Sequence, residues 1–347
     1  MVPTETRITS DLSIDAAKFD PAAVTEQTVN VKAMLERMYD SGPKWYEVGA
    51  ANYRKMRDEG KTPLPPPIYL PTARDVAIPS RDAGRDIPVR ICEPHNGRPS
   101  RGILLHCHGG GFVLLSHQQS DSALDRYANE CQLTAMSVGY RLAPENPYPA
   151  GVNDCIDVAQ YLIDYGEERF GQKLRFMTGD SAGACLAAAA AFSLMRSRPA
   201  YQLAGFLFHF GQFDVTLGLP QVSSYHKPLM INAKELQHFA DAYTPEMSAQ
   251  NRKDPSISPL YEDMQSLAAA APTKKLPPAL FHVGTDDPFV DENILMSAKW
   301  QITGSEAVLK FYPGSPHGFT LLGGKAAADC AATNVQFVKE KLDAIRG

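Results

Sequence analysis

The chain has 347 residues, 44% of them hydrophobic and 21% charged, with a formal net charge of -5. That is globular composition with material for a sizeable core, in one large α/β domain or two domains. The mild negative charge, with no basic cluster interleaved with aromatics, argues against a nucleic-acid or anionic-membrane partner. No stretch approaches the roughly 18 consecutive apolar residues of a membrane span.

The start, Met1 to Asp15, is polar and carries no apolar signal core, so a cytoplasmic location is expected. Residues from about Pro21 to Arg57 read as helical, with Val29, Val31, Met34, Leu35 and Met38 at helix-like spacing. Thr62-Pro63-Leu64-Pro65-Pro66-Pro67 then forms a stiff extended linker. Beyond it, strands and helices alternate. Strands are expected at Asp86–Cys92, Gly102–Cys107, Thr134–Tyr140, Leu174–Thr178, Leu203–Phe210, Pro278–Val283 and Ala307–Phe311. Helices are expected at Ser120–Asn129, Val152–Tyr165, Ala182–Met195, Asn293–Thr303 and Ala326–Ile345. The alternation predicts an α/β fold with a mainly parallel central sheet covered by helices on both faces.

One stretch breaks the rhythm. Between Gly211 and Leu276 there is no good core strand, only polar turns, a helical piece near Ala233 to Tyr243 and the proline-punctuated run Asp254–Leu260. A long insertion in an α/β core is usually functional. With the N-terminal helices it is expected to form a lid. The expected division is residues 1–60 and 211–276 as cap, and 61–210 with 277–347 as core.

The six cysteines are scattered and form no C-x-x-C pair. They read as free buried thiols of a reducing compartment. No Cys/His group has ligand spacing, so no metal is expected.

Gly179-Asp180-Ser181-Ala182-Gly183 carries the chemistry. It sets a serine on a tight strand-to-helix turn, where strained backbone pushes the hydroxyl into the open and larger neighbours would collide. Serine needs a base, and the base an orienting acid. Of nine histidines, His209 and His282 lie inside apolar strands and read as core residues, and His226 and His238 fall in the lid. His317 follows a strand in a loop of turn residues, Pro313 to Phe319, from which it reaches over the sheet edge. The acid comes from the loop after the preceding strand, which offers Asp286 and Asp287. Their different directions allow only one to face His317. His108-Gly109-Gly110-Gly111-Phe112 closes an earlier strand, and consecutive glycines free backbone N–H groups to meet an oxyanion. The N–H of Ala182, at a helix start, adds a donor. His108 is expected to fix this loop by hydrogen bonding.

These pieces together resemble the hormone-sensitive lipase family of α/β-hydrolases, in its bacterial-type esterase branch. The resemblance rests on H-G-G-G-F at His108–Phe112, Y-R-L-A-P-E at Tyr140–Glu145, G-D-S-A-G at Gly179–Gly183, D-P-F-V-D-E at Asp287–Glu292 and P-H-G-F at Pro316–Phe319. The lid run D-P-S-I-S-P-L is similar too. Ala184-Cys185 stands where Gly-Asn is common, and Phe289 where leucine is usual. The resemblance implies the α/β-hydrolase fold with a two-part helical cap. It implies Asp287, the aspartate before the proline, as the triad acid, and Gly110, Gly111 and Ala182 as oxyanion donors, with Gly109 in the same loop. It implies a serine carboxylesterase for short-acyl esters, without a cofactor, and a homodimer. A deacetylase, lactonase or amidase using the same triad is the alternative. A non-catalytic small-molecule receptor would be expected to lack a triad member, and all three are present.

Overall fold

The computed structural model describes residues 10–345. The first nine residues of the polar start lie outside them. Eight strands make one sheet: β1 Arg74–Pro79, β2 Asp86–Cys92, β3 Ile103–Cys107, β4 Thr134–Val138, β5 Leu174–Asp180, β6 Gly205–His209, β7 Ala279–Asp286 and β8 Ala307–Pro316. Their order is β1-β2-β4-β3-β5-β6-β7-β8. β1 and β2 pair antiparallel, as do β2 and β4, and the remaining pairs are parallel.

The α-helices among the described residues are α1 Glu26–Tyr39, α2 Trp45–Val48, α3 Ala50–Asp58, α4 Asp121–Cys131, α5 Ala150–Phe170, α6 Ala182–Ser197, α7 Pro220–Ser224, α8 Ala233–Tyr243, α9 Met264–Ala270, α10 Val290–Gln301 and α11 Gly324–Ala344. The strands are apolar on both faces and their side chains alternate between two cores. Ile103, Leu105, Met177, Phe206, Phe208 and Phe281 meet α5, α6 and α10. Leu104, Ala135, Phe176, Leu207 and Leu280 meet α4 and α11. α6 packs close because its face is alanine: Ala187 to Ala191 are all buried.

β1 lacks a sequence signal: its exposed, charged start carries only Ile78 into the core. The helical reading of Pro21–Arg57 is broken into pieces. α1 stops before Ser41-Gly42-Pro43, and Gly49 at φ 85 separates α2 from α3.

The 211–276 stretch divides in two. Its first part, with α7 and α8, packs on the N-terminal helices and also sends Phe213, Val215, Ala240 and Tyr243 into the main core. Leu35 of α1 meets Tyr225 and Leu229, and Trp45 and Ala50 meet Phe239 and Ile231. Its second part belongs to the main core: Ile257, Leu260, Met264, Leu267 and Ala268 pack with α5 and α6. Among the described residues no helix is long and apolar enough to cross a membrane.

Candidate active site

The carboxyl ends of the parallel strands converge on one edge of the sheet, the usual place for an α/β site. Ser181 leaves β5 and caps α6, with φ 56 and ψ -121. A non-glycine residue there carries strain of about 1–3 kcal/mol. The packing around the turn holds it. A Cβ on Gly183 would stand 2.0 Å from the Cys107 carbonyl oxygen, so only glycine lets α6 approach β3 this closely. The Ser181 N–H donates to the His209 carbonyl (2.9 Å), tying the turn to β6.

Three predicted residues meet. His317 Nε2 lies 2.9 Å from Ser181 Oγ, and His317 Nδ1 lies 3.0 Å from Asp287 Oδ2. Asp287 is fully buried, and its other oxygen accepts the Phe289 N–H (2.8 Å). The imidazole is boxed by Phe210 and Phe289, edge-on at 5.0 and 5.1 Å. Sequence reasoning noted Phe289 only as a departure and missed Phe210. Asp286 turns the other way, to Lys32 of α1 and to Lys227 (2.5 Å).

Gly109, Gly110 and Gly111 leave β3 beside the serine, with Gly110 at φ 108 and Gly111 at φ 62. Among the described residues, the N–H groups of Gly110, Gly111 and Ala182 make no backbone hydrogen bond. His108 braces the loop. Its Nδ1–H donates to the Gly109 carbonyl (2.8 Å), and its ring stacks on Tyr140 at 4.2 Å. The Tyr140 hydroxyl donates to the His108 carbonyl (2.7 Å). Burial pushes the His108 imidazole down to about 3, so it stays neutral and is a poor base.

The serine is less open than the turn alone predicts. Ser181 is 9% exposed and His317 6%. α8 lies over the glycine loop, where a Cβ on Gly111 would stand 2.3 Å from the Phe239 ring. Phe239 stacks on Trp45 at 5.0 Å, and His238 on Tyr46 at 3.8 Å. A separate cavity of about 310 Å³, lined by Leu12, Ile14, Ile294 and Phe311 among others, does not touch these residues.

His209 and His282 are buried, as expected of core histidines, but they do not stand alone. Donor atoms of His209, His282 and Cys330 lie within 4.8 Å of one another, a gathering that sequence spacing does not show. The two rings occupy paired positions on β6 and β7 and stack at 5.2 Å and 11°. An ion bound at the usual ~2.0–2.1 Å sits in the plane of its imidazole, and two near-parallel planes a strand spacing apart share no such point. The group fits hydrogen bonding better than an ion. All six cysteines are free and buried.

Known proteins carry the same architecture. The family model for the alpha/beta hydrolase fold matches residues 104–321. An ethyl acetate hydrolase of Pseudomonas putida is 28% identical over 252 residues, covering 72% of this chain and 76% of that one. A carboxylesterase of Mycobacterium tuberculosis, NlhH, is 26% identical over 339 residues, covering 92% and 100%. A solved hyperthermophilic esterase from the archaeon Pyrobaculum calidifontis superposes with a TM-score of 0.76 at 24% identity, over 93% of this chain and 98% of that chain. The chain belongs to the α/β-hydrolase fold family.

Proposed function

We propose that the protein is a serine carboxylesterase acting on short-acyl esters through an acyl-enzyme. The observation that carries the reading is the chain of contacts Ser181–His317–Asp287, at 2.9 and 3.0 Å. It is supported by esterase relatives that span most of the chain.

His317 takes the Ser181 proton as Oγ attacks the ester carbonyl. Asp287 holds the imidazole tautomer and stabilises the imidazolium. The N–H groups of Gly110, Gly111 and Ala182 receive the oxyanion, with Gly109 shaping the loop and His108 bracing it. His317 then protonates the leaving alcohol, and water repeats the attack on the acyl-enzyme. No step calls for a cofactor.

Residues 1–60 and the α7–α8 part of the insertion are the cap in this reading. Phe239, backed by Trp45, closes over the glycine loop and favours short acyl groups. A homodimer and a cytoplasmic location belong to the same reading, the latter supported by six free buried thiols.

Ser181→Ala is expected to fold and to lose both burst and turnover on p-nitrophenyl butyrate, with activity across acetyl to decanoyl esters highest at the short end. Undiminished turnover by the folded variant would sink the assignment.

A further inference from the structure

A row of polar side chains crosses the sheet behind the serine turn, and its centre is Asp180. The Asp180 carboxylate lies between two imidazoles. Oδ2 is 2.9 Å from His106 Nε2 on β3, and Oδ1 is 2.8 Å from His209 Nδ1 on β6. The row continues both ways. His106 Nδ1 is 3.0 Å from Ser137 Oγ on β4. Asn334 of α11 sits between His209 Nε2 (2.9 Å) and His282 Nε2 (2.8 Å), and His282 Nδ1 meets the Tyr312 hydroxyl on β8 (2.9 Å).

The charges suit a clamp. Burial works against a charged Asp180, and the two histidines outweigh it, holding the carboxyl well below the usual range. Burial likewise works against a charged His209, and Asp180 with Cys330 overcomes it, raising the imidazole to about 10. The carboxylate is thus held among polar partners inside the protein, and removing one of them leaves it short of that support.

Its place is what gives it a role. Asp180 directly precedes Ser181. His106 stands two residues before His108, at the root of the glycine loop. His209 meets the turn twice, its ring 2.8 Å from Asp180 and its carbonyl accepting the Ser181 N–H. The Asp180 carbonyl presses on that loop as well: a Cβ on Gly109 would stand 2.9 Å from it. Nucleophile and oxyanion donors come from different strands, β5 and β3, and catalysis depends on their separation.

We propose that Asp180 is a positioning residue whose carboxylate, clamped between His106 and His209, fixes the strained Ser181 turn at its working distance from the Gly109–Gly111 loop. This rests on the esterase reading above. Asp180 touches no reacting atom and acts through the geometry of the two elements it joins.

The test uses Asp180→Asn and His106→Gln in the full chain, with active sites titrated by a phosphonate probe. Both variants are expected to lose about 10–100-fold in kcat on p-nitrophenyl butyrate, with KM changed less than about threefold. Phosphonylation should slow in proportion, because the phosphonyl oxygen uses the same donors. The downfield proton resonance of the His317–Asp287 hydrogen bond should persist, since that pair is untouched. Titrated variants with kcat within about twofold of wild type, whatever their melting temperature, overturn the proposal. If Asp180→Asn does not fold, His106→Gln decides by the same criterion. Wild-type protein that is neither labelled at Ser181 nor active on the ester overturns the esterase reading itself, before any variant is made.

Discussion

Ser181 is held in a conformation that its own side chain disfavours, and the glycines around it are what make that conformation reachable. Gly183 lets α6 approach β3, and Gly111, at φ 62 and against Phe239, lets the glycine loop run under α8. Gly111→Ala meets both problems at once, a strained φ and a Cβ 2.3 Å from the ring. It is expected to lower kcat by about 10²–10³, the usual cost of a lost oxyanion donor, while the sheet stays folded. Steady-state kinetics with far-UV circular dichroism checks this, and a variant with wild-type kcat would remove Gly111 from the donor set. Such residues were legible in the sequence because turns announce themselves through glycine and proline. The choice between Asp286 and Asp287 was not legible from spacing. Their partners lie far off in the chain, His317 for one and Lys32 for the other, and only the family resemblance separated them.

At the scale of elements, Asp286 joins three parts of the molecule. It ends β7, pairs with Lys32 of α1, and pairs with Lys227 of the insertion, while the Tyr225 hydroxyl donates to its carbonyl (2.9 Å). Both halves of the proposed cap are thus fastened to the residue beside Asp287. Burial tends to raise the Asp286 carboxyl, but the two lysines prevail and lower it below the usual range. A depressed folded pKa gives stability that is present above the ordinary carboxyl value of about 3.9 and is lost as pH falls through the folded value. Between about pH 6 and about pH 3, wild type should therefore lose more melting temperature than Lys32→Met/Lys227→Met, which lacks the latch. Equal losses would show that the latch carries no such energy. The single variant Lys32→Met should cost about 1–2 kcal/mol at neutral pH, because Lys32 is mostly buried and leaves Asp286 with only the more exposed Lys227.

The same scale shows where sequence reading stopped. Strands of the core were found close to their bounds, because each is a short apolar run between turn residues. β1 was missed because it is an edge strand with one exposed face and a charged start. The long N-terminal helix was overextended through Ser41-Gly42-Pro43, although glycine and proline there are themselves a stop signal. The insertion looked like one lid, yet its second part carries apolar residues into the main core, and nothing in its composition says which side of α6 it will cover.

For the whole molecule, burial is unevenly shared, and that sets which parts can move. α1 buries only Leu35 and α3 only Ala50, whereas α6 buries twelve of its sixteen residues. Local opening free energy follows buried apolar contact, so the N-terminal helices open far below the cost of global unfolding, while β5, β6 and α6 open only with it. The proposed function needs this difference, since in that reading an ester must reach Ser181, which is 9% exposed. Hydrogen exchange by mass spectrometry should find amides of α1 and α3 exchanging on the order of 10²-fold faster than those of α6, and slowed again once a phosphonate occupies Ser181. Uniform protection across α1, α3 and α6 would overturn the picture of a cap that opens on a fixed core, and would require the ester to enter by another path.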